Sequence, residues 1–122
     1  MGKTSEEYSL LYDFYGELLS GRQREVFEFY HEENLSLSEI ADNLGVSRQA
    51  VHITLGKANQ ALGTYDEKLG LIGKHKASEK AQNEALAKLG AILKNKELMA
   101  GLDAETTKDL NRIKKLVKGL EV

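Results

Sequence analysis

The stretch that decides the fold is LSLSEIADNLGVSRQAV, residues Leu35–Val51. Its residues 36–39, SLSE, fit a capping box, in which a serine hydroxyl and a glutamate carboxylate satisfy free backbone amides at a helix start. We expect this helix to end at Gly45, since glycine adopts the left-handed conformation of a C-terminal cap at little cost. Ser47 can then cap the next helix, with Val46 predicted as a buried plug in the turn. Two capped helices joined by a glycine turn are typical of a helix-turn-helix.

Two further helices are predicted before this stretch. Between Glu6 and Leu19 apolar residues recur at three- and four-residue steps, which is the spacing of one helix face. A capping serine at Ser20 predicts a second helix that runs to about Glu33 and turns Tyr30 inward. The chain has no proline and 30% charged residues, a composition that favours long helices over a turn-rich β fold. The prediction is an all-α fold with a bundle of three or four helices.

An apolar stripe continues along the helix that follows the turn. Its members alternate in steps of four and three residues and are Val51, Leu55, Ala58, Leu62, Tyr65, Leu69 and Ile72. This heptad spacing favours close packing along a seam, which either the chain's own last helices or the same stripe on a second chain could cover. Gly56, Gly63 and Gly70 recur every seventh residue off the stripe, which indicates either close approach by another backbone or chance.

We divide the chain into a helix-turn-helix bundle, residues 1–62, and a helical extension for packing or dimerisation, residues 63–122. A break is predicted near residues 73–78, before an alanine-rich helix and a basic last helix. Charge follows the same division: residues 1–62 carry five basic and ten acidic side chains, whereas residues 63–122 carry twelve basic and nine acidic ones. The helix-turn-helix therefore lies in the acidic half, although DNA-binding surfaces are usually basic.

The start of the helix after the turn is the predicted DNA-reading surface. Arginine pairs bidentately with guanine and glutamine with adenine, while hydroxyl and ammonium groups bind phosphates. The residues that suit these roles and face away from the core are Arg48 and Gln49 for base edges, His52 beside them, and Ser36, Ser47 and Lys57 for phosphates. The alternative is a plain three-helix packing unit whose polar face is only solvated.

A second candidate surface is the basic C-terminal half. Its cations are Lys74, Lys76 and Lys80 around the predicted break, and Lys108, Arg112, Lys115 and Lys118 along the last helix. They suggest contacts to RNA phosphates or to an acidic partner protein. The alternative is a solvated helix face with compensating acids nearby.

Catalysis, cofactors and metals find no support in the sequence. There is no cysteine, the His31-Glu32-Glu33 run lacks the second histidine of an H-E-x-x-H motif, and no glycine-rich phosphate loop occurs. We therefore expect a non-enzymatic protein without cofactor or metal. The N-terminus, MGKTSEEY, has no apolar stretch and no segment approaches the roughly 20 apolar residues of a membrane span, so we expect a cytoplasmic location.

At residues 20–52, SGRQREVFEFYHEENLSLSEIADNLGVSRQAVH, the chain resembles the promoter-reading helix-turn-helix of sigma factors. Together with LLYDFYGELL at 10–19 and YDEKLGL at 65–71, it is similar to the YlxM family, small helix-turn-helix proteins of Gram-positive bacteria encoded beside signal recognition particle genes. The resemblance implies a sigma-factor-like helical bundle with a C-terminal helical extension, a dimer, and a role in the signal recognition particle pathway. Relatives are more polar and basic where this chain has HITLGKANQAL at 52–62.

Two functions of different class follow from these features. In the first, Arg48, Gln49 and His52 read duplex DNA as part of a homodimeric regulatory protein. In the second, the module binds no DNA and is a scaffold for the protein or the RNA of the signal recognition particle.

Overall fold

A computed structural model describes residues 2–121. Across that range the helices are α1 (Ser5–Tyr15), α2 (Gly21–Phe27), α3 (Leu37–Leu44), α4 (Arg48–Leu69), α5 (Leu71–Lys94), α6 (Lys96–Ala100) and α7 (Ala104–Lys118). A 3-10 turn, Gly16–Leu18, follows α1, and a π-helical turn, Glu28–Glu32, follows α2. No strand occurs in the described range, so the predicted all-α fold is confirmed.

The chain separates into two compact units, an N-terminal unit that ends at Ile72 and a C-terminal unit that begins at Gly73. The two units differ in how many residues they bury. The side chains of the described range that are fully buried all lie in the N-terminal unit, and they are Leu11, Tyr15, Leu19, Val26, Phe27, Ile40, Ala41, Val51, Leu55, Ala58 and Leu62. In the C-terminal unit, α6 and α7 contain no fully buried residue.

Helix α4 is the centre of the N-terminal unit, and α1, α2 and α3 all pack against it. The predicted apolar stripe supplies this contact, because its first four members, Val51 to Leu62, are buried in the common core. The expectation that the last helices or a second chain cover the stripe is therefore wrong for these residues. Tyr65 and Ile72 pack at the edge of the core, while Leu69 is 47% exposed.

The second helix differs from its predicted course. It is α-helical only to Phe27 and then widens into the π-helical turn, in which the Glu33 amide donates to the Glu28 carbonyl at 3.0 Å. A five-residue hydrogen-bond step shifts the helix face by one residue. Tyr30 is consequently 39% exposed, contrary to prediction, and His31 takes a half-buried place instead.

The break after α4 also differs from prediction, because it lies at Gly70 rather than at residues 73–78. Gly70 has a φ of 62° and donates its amide to the Asp66 carbonyl at 2.7 Å, which is the left-handed C-terminal cap that glycine favours. The Tyr15 hydroxyl fixes this junction: it donates to the Asp66 carboxylate at 2.7 Å and accepts from the Leu71 amide at 3.1 Å. Helix α5 then continues without interruption to Lys94.

Candidate nucleic-acid interface

The turn between α3 and α4 has the predicted local chemistry. The Ser36 amide donates to the Glu39 carboxylate at 3.0 Å, and the Glu39 amide donates to the Ser36 hydroxyl at 3.1 Å, which completes the capping box. Gly45 has a φ of 67°, and the Ser47 hydroxyl accepts from the Ala50 amide at 3.0 Å. Helix, glycine turn and second cap thus form a helix-turn-helix.

Val46 is not the buried plug that was predicted. Its side chain is 40% exposed, whereas Ile40 and Val51 are almost fully buried beneath the turn. Ile40, Ala41 and Val51 supply the buried core at this point in its place. The Val46 amide donates to the Ala41 carbonyl at 3.1 Å and closes the end of α3.

The predicted reading residues lie on the solvent side of α4. Arg48, Gln49 and His52 are exposed, and none of them makes an ion pair or a side-chain hydrogen bond with another residue of the described range. Their outward orientation follows from the helix period, since Val51 and Leu55 between and after them are buried.

The N-terminus of α4 is free of acidic side chains in its first turn. The first turns of α2 and α5 are also free of acids, whereas α1, α3, α6 and α7 carry Glu6 and Glu7, Glu39, Glu97, and Glu105 there. Acids at a helix start compensate the positive end of the helix dipole and discourage a second anion. Hydrogen bonds from the backbone and side chain of Ser36 hold the pKa of Glu39 below its ordinary value of 4.5. The α3 terminus is therefore already occupied by an anion, whereas the α4 terminus is open to one.

The outward side of α4 forms a ridge of Gln49, Ile53 and Gly56, all exposed. Arg48 and Lys57 lie nine residues apart, which places them about half a turn from each other around the helix, on opposite flanks of this ridge. A methyl group at Gly56 would meet nothing within 4 Å. The close approach by another backbone that the glycine spacing suggested is therefore not made within the described chain at this position.

The other two glycines of the seven-residue spacing differ from Gly56. A methyl group at Gly63 would lie 3.5 Å from Lys3 Nζ, which is an ordinary contact, and Gly70 is the cap of α4. Their recurrence does not mark one common surface.

The residues predicted to contact DNA lie in two different grooves, one on each side of the ridge. Ser36 and His52 line one groove, together with Tyr8, His31 and Asn59. Lys57 lines a different groove, beside Gln23 and Thr64. The residues predicted to contact DNA thus border the ridge on both sides instead of forming a single cluster.

His31, which in the sequence belongs only to an incomplete metal motif, takes a half-buried position in this region. Its ring packs against Phe27 at 4.3 Å and Tyr8 at 4.6 Å between ring centres, and its Nε2 lies 3.3 Å from Asn59 Oδ1. Burial lowers the pKa of the imidazole below its ordinary value of 6.5. Only the π-helical turn brings the ring inward, and the sequence carries no direct signal for that turn.

The basic residues of the C-terminal unit fall into two sets. Lys74, Lys76 and Lys80 lie exposed along α5, inside a continuous helix rather than around a break. The cations of α7 line one open face, which comprises Lys108, Asn111, Arg112, Lys114, Lys115 and Lys118. The α5 lysines are not part of that face.

Among residues 2–121, no group of three or more histidine or carboxylate side chains is arranged to hold a metal ion. In the same range, no helix combines the length and the apolar character that crossing a membrane requires.

Comparison with known proteins agrees with this architecture. A family described as "Putative helix-turn-helix protein, YlxM / p13 like" (UPF0122) matches residues 2–116. A UPF0122 protein of Desulforamulus reducens is 46% identical over 84 residues, which cover 69% of this chain and 72% of that protein. A UPF0122 protein of Listeria welshimeri is 38% identical over 89 residues, or 73% of this chain and 81% of that protein. With the helix-turn-helix present and the match extending over nearly the whole chain, the protein belongs to the UPF0122 (YlxM/p13-like) family.

Proposed function

We propose that the protein is a non-enzymatic, cytoplasmic regulator that binds duplex DNA with the start of α4. One observation carries the proposal: α4 begins at a capped, acid-free terminus and presents Arg48, Gln49 and His52 to solvent without internal partners. The major groove of B-DNA admits an α-helix, and the first turns of a recognition helix are the part that reaches base edges.

Each exposed group has a definite role in this binding mode. The Arg48 guanidinium suits the two acceptors of guanine and the Gln49 amide suits adenine. The free amides in the first turn of α4 suit a phosphate. Lys57, on the opposite flank of the ridge from Arg48, can neutralise a phosphate at the edge of the groove. Gly56 leaves the helix backbone bare where it would face the bases.

The charge of the N-terminal unit makes a quantitative prediction. Residues 1–72 carry six basic and twelve acidic side chains, so long-range attraction to DNA is absent and binding depends on few contacts. One phosphate neutralised by Lys57 in each subunit gives the homodimer a slope of log K against log salt of about −2. The proposal includes a homodimer, since two reading helices one DNA turn apart, about 34 Å, would recognise paired half-sites.

Fluorescence anisotropy with a pool of random-sequence 30-base-pair DNA duplexes tests the proposal, followed by selection of the bound sequences. Arg48→Ala should abolish enrichment of any sequence, because it removes the contact to guanine. Lys68→Ala is the matched control, because it removes one exposed cation from the same helix about 30 Å away. The proposal fails if the folded wild-type protein shows no saturable binding to the pool at 50 mM salt, or if both variants behave alike.

A second candidate function is favoured by the acidity of the N-terminal unit. An acidic module that repels DNA could instead be a scaffold, and the resemblance to the YlxM family makes the protein or the RNA of the signal recognition particle the partner to test first. Retention of either component by a protein that fails the DNA assay would support the scaffold function.

A further inference from the structure

The basic face of α7 has no role in the function proposed above. Helix α7 carries five cations, Lys108, Arg112, Lys114, Lys115 and Lys118, against two acids, Glu105 and Asp109. We infer that this face is a second, independent nucleic-acid site that binds the phosphodiester backbone. The inference rests on the C-terminal unit alone and does not require that α4 reads DNA.

The cations are arranged in lines. Lys108, Arg112 and Lys115 follow each other at steps of four and three residues, and Lys114 and Lys118 form a second line beside them, four residues apart. Such steps place side chains on one helix face. The face extends over ten residues, about 15 Å of helix axis. A nucleic-acid strand presents one phosphate per about 3.4 Å of axis, so the face spans roughly four phosphates.

These cations have no ion-pair partner among residues 2–121. No carboxylate of the described range lies within 4 Å of any of the five, and no other side-chain interaction engages them. The contrast is α2, where Arg22 and Arg24 each pair with a carboxylate one turn further along. The two acids of α7, Glu105 and Asp109, lie within one turn of these cations without forming an ion pair in the described range, and they leave the helix with three uncompensated positive charges.

Helix α7 is capped at its start and anchored to α5 at its end, so the backbone that carries the cations is ordered before binding. The Asp103 carboxylate accepts from the Thr106 amide at 2.7 Å at one end. At the other end the Gln82 side-chain amide donates to the carbonyls of Val117 at 2.8 Å and Leu120 at 3.0 Å. Fixed cations lose less entropy on binding than cations on a mobile tail.

A polyanion fits this surface better than a membrane does. A helix that lies on a membrane must offer its whole apolar side to the lipid, yet Leu110 and Val117 on that side are half-buried in the C-terminal unit. Ile113, Leu116 and Leu120 remain about half exposed, which is a strip beside the cations rather than a full face. A planar guanidinium at Arg112 suits bidentate phosphate binding.

The test uses the full-length protein with a 20-base-pair RNA duplex and the corresponding DNA duplex, each measured by anisotropy between 50 and 300 mM salt. Lys108→Gln, Arg112→Gln and Lys115→Gln are combined in one variant. We expect its salt slope to be shallower by between about two and three on the duplex that the face binds, since each lost cation removes about 0.9. The duplex with the larger change identifies RNA or DNA as the natural source of the phosphates.

The matched control combines Lys74→Gln, Lys76→Gln and Lys80→Gln. It removes the same charge from exposed positions of α5, where Lys74 and Lys76 point to nearly opposite sides of the helix. The Arg48→Ala variant, by contrast, should keep the α7-dependent slope, which separates this inference from the proposed function. Circular dichroism verifies that all variants remain helical.

Three outcomes would overturn the inference. The first is that the α7 variant binds both duplexes as the wild type does. The second is that the salt slope of the α5 variant falls by as much as that of the α7 variant, which would attribute the effect to net charge. The third is that vesicles of phosphatidylglycerol and phosphatidylcholine capture the protein through α7 while neither duplex binds.

Discussion

Gly56 lies in the middle of α4, exposed on the ridge between Arg48 and Lys57, with open space where a side chain would be. A glycine inside a helix costs about 1 kcal/mol relative to alanine, and no packing contact in the N-terminal unit requires it there. We therefore expect Gly56→Ala to raise the melting temperature by several degrees, about 4–8 °C for a unit of this size. If the bare backbone serves close approach to DNA, the same change should weaken DNA binding.

Gly63→Ala provides the matched control for that prediction. The substitution lies on the same helix, its methyl group would make an ordinary 3.5 Å contact with Lys3 Nζ, and it should give a similar gain in helix stability. Thermal unfolding followed by circular dichroism measures stability, and anisotropy measures binding. Loss of binding in both variants, or in neither, would contradict a special role for Gly56.

His31 gives the protein a predicted acid sensitivity. Burial lowers the pKa of its imidazole from the ordinary 6.5. Just below pH 6.5 the imidazole is therefore protonated in the unfolded chain but still neutral in the folded chain. The free energy of unfolding should therefore not depend on this group above pH 6.5. It should fall as pH drops below 6.5 and level off once pH passes the lowered pKa. Urea titrations between pH 8 and pH 5 measure this slope, which should be flatter in His31→Gln. A parallel decline in both proteins would assign the slope to other groups.

At the scale of helices, the caps decide how far the sequence predicts the fold. The SLSE capping box, Gly45 and Ser47 act through their own neighbours along the chain, so residues 36–50 could be predicted to within a residue. The π-helical turn that brings His31 inward, and the exposure of Val46, depend on what fills the core, which local patterns do not carry. The sequence predicts that the heptad stripe of α4 is covered. That α1, α2 and α3 are the helices that cover it depends on tertiary packing.

The candidate site shows the same division. The outward orientation of Arg48, Gln49 and His52 follows from helix period, and the structure has these side chains exposed as expected. The separation of Ser36 and His52 from Lys57 depends on how α3 and α4 cross, which the sequence alone does not specify. The basic face of α7 was visible as a charge pattern, whereas the lack of internal ion pairs was not.

The Tyr15 hydroxyl links α1 to the junction between α4 and α5. Tyr15→Phe removes the partner of the Leu71 amide and leaves the Asp66 carboxylate with only the longer 3.4 Å contact from the Ile72 amide, and leaving a part-buried polar group unpaired costs about 1–3 kcal/mol. We expect a loss of that size in the free energy of unfolding, measured with urea. Tyr65→Phe is the matched control, because its hydroxyl makes only a 3.5 Å contact with the Leu18 carbonyl. Equal losses in the two variants would contradict this role for Tyr15.

At the scale of the whole molecule, burial and charge are divided between the two units. The N-terminal unit has the buried core and a net charge of −6, from six basic and twelve acidic side chains, while the C-terminal unit has eleven basic and seven acidic ones. The buried core and the excess of basic side chains thus lie in different units.

This division predicts how the folded protein opens. Local opening follows the amount of buried apolar contact, so amides of α4 between Val51 and Leu62 should exchange with solvent only on unfolding of the whole N-terminal unit. Amides of α6 and α7, where no residue is fully buried, should exchange through local openings of lower free energy. Hydrogen exchange followed by mass spectrometry measures both in the intact protein. A duplex that binds α7 should slow exchange in the C-terminal unit and leave α4 unchanged, whereas a duplex read by Arg48 should protect the first turns of α4. Uniform protection along the chain would contradict the division, because it would require the C-terminal unit to be as tightly packed as the core around α4.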